Sequence, residues 1–521
     1  MKRVTFRNAI SPPSCMVVVA VAVVLLLLAS NAAVAVNGPL PHVVAIGDTP
    51  YEVGFQVGRA VRDRIVSRLA EPAIQEMLEW QASTPEAMRL NQTMFEASMR
   101  VLPEAIDEMR GIAEGAKVSF GHIWFLNVHV EIQTLQAQLY PYNSSGSVSG
   151  GGDDDGGEQT RKTRNNAAHC TEVYGAHEAL QQRGSRQQQE PSTVALRFWG
   201  HNEDAGPNDV NHTYLVTVGP RQAGNKSLFR DNYTSFAYAA SLGGGSFAWN
   251  AAGVIFSDNS LFPNNSNFED PSALPQRIMH RLCFRQTSIA GVLSVLETHT
   301  AITAFSFNVG TWSASTTPPQ TDGIMFVNIE VDPMDGLGIT RVRPRPFHHH
   351  HHHHASTTTT TTPQDTPRHA GVAARMHPRP LVPDRQRGPQ STTTPYTAAP
   401  LPDEPHHMYH ANLYETLLTA QGADPSSTAR IAALQSIGPP TSVEVLRAML
   451  GDTSNPTYPV YRTGGLADPI YTLATAVFVL PPWWMHGGSG RNATGDAKVL
   501  VFIQNPKDFP PVFEIPFVPA A

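Results

Sequence analysis

Strand-like segments dominate the middle of this chain and are followed by a helical segment, and this order constrains the fold more than any other feature. The strand signals, rich in β-branched and aromatic residues, cover residues 193–199, 213–218, 246–249 and 254–256. A turn is expected at Asn250-Ala251-Ala252-Gly253, and helical periodicity returns over residues 274–296. Strands, then helices, then further strands predict an α+β fold built of packed layers.

The segment ahead of these strands predicts helices. Thr49-Pro50-Tyr51-Glu52 combines a threonine N-cap, a proline at the first helical position and an acid three residues on, so a helix is expected from there towards Leu69. Gly54 and Gly58 share one face of it, which indicates close packing against a neighbouring element. A second amphipathic helix is predicted over residues 105–116.

Composition excludes one class of partner. Of the 521 residues, 41% are hydrophobic and 16% charged, which is enough to bury one large core or two smaller ones. The formal net charge of −7 shows no excess of basic residues. Binding to phosphate backbones depends on such an excess, so we expect no nucleic-acid partner.

Residues 1–35 have the order of a secretory signal peptide. Lys2, Arg3 and Arg7 precede an uncharged run over residues 16–28, and small residues end at Ala35. Cleavage after Ala35 is expected; the alternative is an uncleaved signal anchor, because the apolar run is only slightly shorter than a bilayer span. The chain is therefore expected to be secreted or lumenal, with a membrane contact only if the anchor is kept. Seven glycosylation sequons fit this route: Asn91, Asn143, Asn211, Asn225, Asn232, Asn264 and Asn492.

Two segments of biased composition are predicted to be disordered, because they carry few apolar side chains. Residues 142–166 consist largely of Ser, Gly, Asp and Arg, and residues from about 341 to 405 include seven consecutive histidines at 348–354. Histidine binds metals, but a homopolymer in a disordered insertion offers no fixed geometry. We predict no metal ion and no other cofactor.

Cysteine usage points to chemistry rather than to a disulfide framework. The three cysteines are Cys15, inside the signal segment, Cys170 and Cys283. A bridge between Cys170 and Cys283 is one alternative, but a free thiol kept in an oxidising compartment more often serves a reaction. Cys283 falls in the predicted helix of residues 274–296 and is expected to be a packing residue.

Polar residues cluster at two points that could form a site. His169-Cys170-Thr171 follows the first disordered segment, and Gly200-His201-Asn202-Glu203-Asp204 ends an apolar strand, where its acids are expected at a sheet edge. Taken together with their neighbours, these residues resemble the acyl-coenzyme A:6-aminopenicillanic acid acyltransferase family, the C45 cysteine peptidase family of the N-terminal-nucleophile hydrolases. The matching stretches are Thr49-Pro50-Tyr51-Glu52-Val53-Gly54, Gly58-Arg59-Ala60, Arg110-Gly111-Ile112-Ala113-Glu114-Gly115, Cys170-Thr171, Asn202-Glu203-Asp204, Gly253-Val254 and His410-Ala411-Asn412.

The resemblance implies a four-layer αββα sandwich and a precursor that cuts itself between His169 and Cys170. Residues 36–169 would then form a largely helical α chain and residues 170–521 a catalytic β chain, and the two would stay associated. The freed α-amine of Cys170 titrates near pH 7.7 to 8.0 and can accept the thiol proton, so one residue supplies both nucleophile and base.

The resemblance also assigns the remaining site residues. Asp204 would orient the new amine, and Asn259 and Asn412 would line the oxyanion site, where preorganised donors stabilise developing charge. Arg462 matches an arginine close to the sulfur, which would lower the thiol pKa. Thr171 and Asn202 are the expected substrate-binding positions.

Each assignment has a structural alternative. Asp204 and Asn202 could form a turn after the strand, Asn259 could cap a loop, Asn412 could start a helix, and Arg462 could be a solvated charge. In addition, His169 stands where the best-known members have glycine, and a bulkier residue can hinder the backbone strain that self-cleavage uses. Trimming by another protease up to Cys170 would give the same free amine.

The sequence thus predicts an amidohydrolase or acyltransferase that acts on small amides, N-acyl amino acids or lipid amides through an acyl-enzyme. Two rivals stay open. One is a catalytically silent secreted binding protein of the same fold. The other is a papain-like thiol hydrolase with a histidine base such as His201 or His410.

Overall fold

The predicted order of elements forms two packed β-sheets flanked by helices. A computed structural model describes residues 38–140, 170–180, 193–221, 231–311, 326–342, 407–422, 424–465, 468–480 and 497–517. These ranges all belong to one unit, formed by residues 1–344 and 405–521. The predicted signal segment, the 142–166 segment, His169 and the histidine tract lie outside the described residues.

The described helices are α1 (Pro50–Ala60), α2 (Arg62–Leu69), α3 (Pro72–Ser83), α4 (Pro85–Val101), α5 (Pro103–Ala116), α6 (Phe120–Leu139), α7 (Gln276–Phe284), α8 (Ile289–Thr298), α9 (Pro425–Ile437) and α10 (Val443–Leu450). The described strands are β1 (His42–Gly47), β2 (Thr171–Leu180), β3 (Thr193–Ala205), β4 (Thr213–Pro220), β5 (Tyr233–Tyr238), β6 (Ala248–Asn250), β7 (Val254–Ser260), β8 (Phe305–Thr311), β9 (Phe326–Asp332), β10 (Gly336–Val342), β11 (His407–His410), β12 (Tyr471–Leu480), β13 (Lys498–Phe502) and β14 (Phe513–Pro516).

The strands form an eight-stranded and a six-stranded sheet. The larger sheet has the order β1-β4-β5-β6-β7-β8-β9-β10, and the smaller one has the order β11-β2-β3-β12-β13-β14. Strand β1 pairs with β4 in parallel, whereas the other pairs are antiparallel. Strands β2 and β3, which carry the expected nucleophile region and the polar cluster, lie side by side within the smaller sheet.

Three hydrophobic interfaces stack these sheets and helices into four layers. Side chains of α1 to α8 pack on one face of the larger sheet, where for example Met109 of α5 shares a hydrophobic cluster with Val216 and Phe256 of the sheet. The other face meets the smaller sheet through aromatic residues that include Trp199 and Phe326. The outer face of the smaller sheet is covered by α9 and α10. The α+β fold and its αββα layering are therefore confirmed.

The glycines of α1 explain its close contact with α5. A Cβ atom added at Gly54 would lie 2.0 Å from the carbonyl oxygen of Glu108, and one at Gly58 would lie 2.1 Å from that of Ile112. Gly111 and Gly115 of α5 face the backbone of α1 in the same way. Each helix thus accepts the backbone of the other, as the four-residue spacing predicted.

Some predicted boundaries are wrong. The first helix breaks at Val61, whose φ of −112° and ψ of 22° leave the helical region. The helix predicted over residues 274–296 is two helices, because Ser288 caps a new one by accepting a hydrogen bond from the backbone nitrogen of Gly291. Strand β10 includes Arg341 and Val342, so the insertion predicted from about residue 341 starts too early.

Among the described helices, none combines the length and apolar character needed to cross a bilayer.

Candidate active site

Strand β3 presents polar side chains to two different layers. It lies between β2 and β12 and continues to Ala205, so the prediction that its polar residues sit at a sheet edge is wrong. Successive side chains of a strand point to opposite faces. Asn202 and Asp204 face the outer helical layer, whereas His201 and Glu203 face the larger sheet. The alternative of turn formers is therefore wrong for Asn202 and Asp204.

The Cys170 thiol lies in the space between the sheets. The residue directly precedes β2 and is 2% exposed, and its Sγ donates a hydrogen bond to Oε2 of Glu203 over 3.8 Å. Both Cys170 and Cys283 are free, so the alternative of a bridge between them is wrong. Burial, reinforced by the charge of Glu203, raises the pKa of the Cys170 thiol to about 12. A thiol with this pKa is protonated at neutral pH.

His201 is held between two buried carboxylates. Its Nδ1 lies 2.6 Å from Oε2 of Glu172, and its Nε2 lies 3.0 Å from Oε2 of Glu203. Burial alone would lower the pKa of His201, but the Glu172 charge and the hydrogen bonds to Cys170, Glu172 and Glu203 raise it well above its ordinary value. Both ring nitrogens are thus engaged by carboxylates, which favour the protonated form of the ring.

His410 has a different environment. It pairs with Glu172 across β11 and β2, and its Nε2 lies 3.6 Å from Oε1 of Glu330. Burial lowers the pKa of His410, yet its contact with the Glu330 carboxylate and the charges of nearby carboxylates leave it above its ordinary value.

Arg430, which the sequence analysis missed, joins several of the expected residues. This fully buried side chain of α9 donates through Nη1 to the carbonyl oxygen of Cys170 at 2.7 Å and to the hydroxyl of Thr171. Its Nη2 donates to Oδ1 of Asn412 at 2.9 Å. A single arginine among small helical residues carries no motif, so nothing in the local sequence distinguishes it from a surface residue.

Asp204 offers an unused acceptor beside this arginine. Its Oδ1 accepts a hydrogen bond from Thr472 at 2.6 Å, whereas Oδ2 accepts none from the described residues and lies 3.8 Å from Nη1 of Arg430. Burial raises the pKa of Asp204 to about 7, although the charges of Arg462 and Arg430 lower it.

The charge of Arg462 lowers the pKa of Asp204, but the Arg462 side chain is bound by other residues. It is 2% exposed, so the alternative of a solvated charge is wrong. Its Nε lies 3.0 Å from Oδ2 of Asp468, and its Nη2 donates to the hydroxyl of Ser426.

Asn259 carries a buried donor without an acceptor. It lies within β7, so the alternative of a loop cap is wrong, and its Oδ1 accepts from Nδ2 of Asn308 at 2.8 Å. Asn308 in turn accepts from Asn328 at 2.7 Å. This chain of amides fixes the orientation of Asn259 and leaves its Nδ2 with no partner among the described residues.

Two contacts show where the Asn259 amide lies. Ser257, on the same face of β7, donates to Oε1 of Glu172 at 2.7 Å. The carbonyl of Ser260, the residue after Asn259, accepts a hydrogen bond from Asn412. Arg430 binds both Asn412 and the carbonyl of Cys170. Asn259 therefore lies between the sheets at the end of β7 that faces the start of β2.

The other expected residues are engaged within the protein. Asn412 does not start a helix, since α9 begins at Pro425. Asn202 donates to the carbonyl oxygens of Leu450 and Val460 at 2.9 and 3.1 Å. Thr171 thus contacts the outer layer through Arg430 of α9, and Asn202 contacts it through these two carbonyls.

Comparison with known proteins bears on this arrangement. Residues 189–313, from β3 to β8, match the sequence model of the family described as acyl-coenzyme A:6-aminopenicillanic acid acyl-transferase. The predicted family resemblance is confirmed. Over 442 residues the chain is also 21% identical to the beta-alanyl-dopamine/carcinine hydrolase of Drosophila melanogaster, an alignment that covers 83% of this chain and 88% of that protein.

The segment that matches the acyl-transferase family contains Asp204 and Asn259. The structure joins Asp204 to the start of β2 through Arg430, and it directs the Asn259 amide to the same region. The family match and the hydrolase relative together support an amide hydrolase or acyltransferase.

Proposed function

We propose that this protein is a secreted or lumenal cysteine N-terminal-nucleophile amidohydrolase or acyltransferase, activated by cleavage between His169 and Cys170. The observation that carries the proposal is Oδ2 of Asp204, which accepts no hydrogen bond from the described residues and lies beside Arg430, the residue that holds the carbonyl of Cys170. In the β2–β3 register Thr171 pairs with Asn202, so one further step brings Cys170 beside Glu203 and its amine towards Asp204.

The proposed reaction needs no histidine base. The free α-amine of Cys170 takes the Sγ proton, and the thiolate attacks the carbonyl carbon of the amide. The Nδ2 group of Asn259 donates to the oxyanion that forms. The α-ammonium then protonates the leaving amine, which leaves a thioester on Sγ. Water, deprotonated by the same α-amine, hydrolyses the thioester and restores the thiol.

The state of residue 170 tests this proposal directly. Edman sequencing of the mature protein is expected to find a chain that begins at Cys170, and Cys170→Ala is expected to abolish both the cut and the activity. Cys283→Ala, at the other buried cysteine, is expected to leave both in place and serves as the matched control. An active protein with an intact bond before Cys170 would contradict the proposal.

The hydrolase relative supports a proposal for the substrate class. We propose small amides, with carcinine and β-alanyl-dopamine as the first compounds to test and N-acyl amino acids and lipid amides as the next. Water is the proposed acceptor, because a lumenal enzyme meets little acyl-coenzyme A. Release of the amine product, measured by chromatography with and without an added amine acceptor, separates hydrolysis from acyl transfer.

A second candidate function rests on the contact between Cys170 and His201. A thiolate–imidazolium pair would act without chain cleavage, as in papain-like hydrolases. The raised thiol pKa and the two carboxylates on His201 argue against it. A preparation that is uncut but fully active would favour this candidate, and an uncut, inactive native protein would favour the silent binding protein.

A further inference from the structure

Three metal-ligating atoms of different residues converge between the sheets. Sγ of Cys170, a ring nitrogen of His201 and a carboxylate oxygen of Glu203 all lie within 4.8 Å of one another. The sulfur is 3.8 Å and Nε2 of His201 is 3.0 Å from the same oxygen of Glu203. These separations allow one ion to contact all three atoms after small side-chain movements.

The residues behind these atoms are arranged as in built metal sites. Nδ1 of His201 lies 2.6 Å from Glu172, so a carboxylate holds the ring and leaves Nε2 to face Cys170 and Glu203. Ser246 donates to Oε2 of Glu203 at 2.6 Å, and Tyr238 donates to Oε1. A ligating histidine backed by a carboxylate, and a ligating carboxylate held by hydroxyl groups, are typical of such sites.

The donor set selects the ion. A thiolate, an imidazole and a carboxylate in a tetrahedral arrangement suit Zn²⁺, whereas Mg²⁺ and Ca²⁺ prefer oxygen ligands only. With the metal bound, the thiolate, Glu203 and Glu172 carry three negative charges in a buried space, and a divalent cation offsets most of them.

We propose that Cys170, His201 and Glu203 form a Zn²⁺ site. Binding forms bonds from the ion to Sγ, Nε2 and a Glu203 oxygen, and it releases the thiol proton and one imidazolium proton to solvent. The fourth position holds water. The bound sulfur is no longer available as a nucleophile, so zinc reversibly blocks the enzyme; this consequence alone rests on the proposed function.

Co²⁺ distinguishes this site from the histidine tract of residues 348–354, which could also bind metal. Co²⁺ bound to a thiolate gives a sulfur-to-metal charge-transfer absorption, whereas Co²⁺ on imidazoles does not. Titration of the full-length protein with Co²⁺ is expected to produce this band, and Zn²⁺ is expected to remove it. The band should be lost in Cys170→Ser and kept in Cys283→Ala.

Substitution of His201 and Glu203 shows whether the metal binds at a three-residue site or at the Cys170 thiol alone. His201→Asn and Glu203→Gln are expected to weaken Co²⁺ binding at least about tenfold. Glu172→Gln is expected to weaken it about tenfold, because Glu172 orients the His201 ring. Circular dichroism checks that each variant is folded, and His201→Gln replaces His201→Asn if the latter unfolds. The absence of the band, or a band unchanged by the His201 and Glu203 variants, would overturn the proposal.

Because metal binding is measured without substrate, its failure is distinct from failure of the proposed hydrolase. In an active preparation, Zn²⁺ should inhibit over the concentration range in which it displaces Co²⁺, and a chelator should restore the rate. Inhibition that persists unchanged in a folded His201→Gln variant would assign the effect to another site.

Discussion

Nη1 of Arg430 donates a hydrogen bond to the carbonyl oxygen of Cys170 over 2.7 Å, although the two residues are 260 positions apart in the chain. The same guanidinium binds Thr171 and Asn412 and lies beside Asp204. It is therefore the common support of the start of β2 and of the residues expected to act there.

Replacing this support should affect both activity and stability. Arg430→Met leaves Asp204 and Asn412 without their buried partner, so the free energy of unfolding should fall by about 3–5 kcal/mol. Misplacement of Cys170 should lower kcat/KM at least about 100-fold. Arg447→Met on α10 is the control, because that partly exposed side chain binds the carbonyls of Pro506 and Phe509 and lies over the Phe502 ring instead. Steady-state kinetics and urea unfolding measure the two effects, and equal losses in both variants would contradict the assignment.

Asn308, which holds the Asn259 side chain, should affect catalysis only by orienting Asn259. Asn259→Ala removes the proposed oxyanion donor and should lower kcat by about 10²–10³-fold with little change in KM. Asn308→Ala should lower kcat about tenfold or more, because the Asn259 amide is no longer fixed. In the Asn259→Ala background the second substitution should add almost nothing. Additive losses in this double-mutant cycle would show that Asn308 has a separate role.

The contact between α1 and α5 depends on the absence of side chains. Gly54→Ala would place a Cβ atom 2.0 Å from the carbonyl oxygen of Glu108, so the helices must separate. The free energy of unfolding is expected to fall by about 1–3 kcal/mol. Gly121→Ala in α6 is the control, because its Cβ would meet only the Ser119 hydroxyl, at 3.9 Å. A melting temperature unchanged by Gly54→Ala would contradict this packing.

Glu131 should make stability depend on pH. Burial raises its pKa from 4.5 to about 7, although hydrogen bonds from Gln276 and Thr303 oppose the shift. Below pH 4.5 both states are protonated; above it the unfolded chain releases its proton first. The free energy of unfolding thus falls as pH rises through this window, by up to roughly 3 kcal/mol.

Glu131→Gln should remove this fall, because the amide cannot ionise and still offers an oxygen to the backbone nitrogen of Gln276. Urea unfolding between pH 4.5 and 7.5 is expected to give a flatter profile for the variant than for the native protein. Profiles that stay parallel would show that Glu131 does not ionise in this window.

The sequence predicted features that depend on local chemistry. Thr49 caps α1, as expected, by accepting a hydrogen bond from Glu52, and the glycine spacing of α1 predicted its close partner. Arg430 and Asn308 could not be found in this way, because their roles arise from contacts between distant strands and helices. Strand β1 was also missed, since six residues of alternating exposure give a weak signal beside a strong helix start.

The placement of Asp204 shows the same limit. Its residue type and its position in a motif predicted a role at Cys170, but the sequence placed it at an edge rather than inside a strand. The position of a strand within a sheet depends on its neighbours. Here those neighbours are β2 and β12, and β12 begins more than 260 residues further along the chain.

Strand β1 lies ahead of Cys170 in sequence yet forms the parallel edge of the larger sheet, in register with β4 from His42 to Gly47. Helices α1 to α6 come from the same leading segment and cover that sheet. If the backbone is severed before residue 170, the two pieces would still share one hydrophobic core. Either piece alone would expose its part of that core to solvent, and synthesis as a single translation product would supply the two in equal amounts.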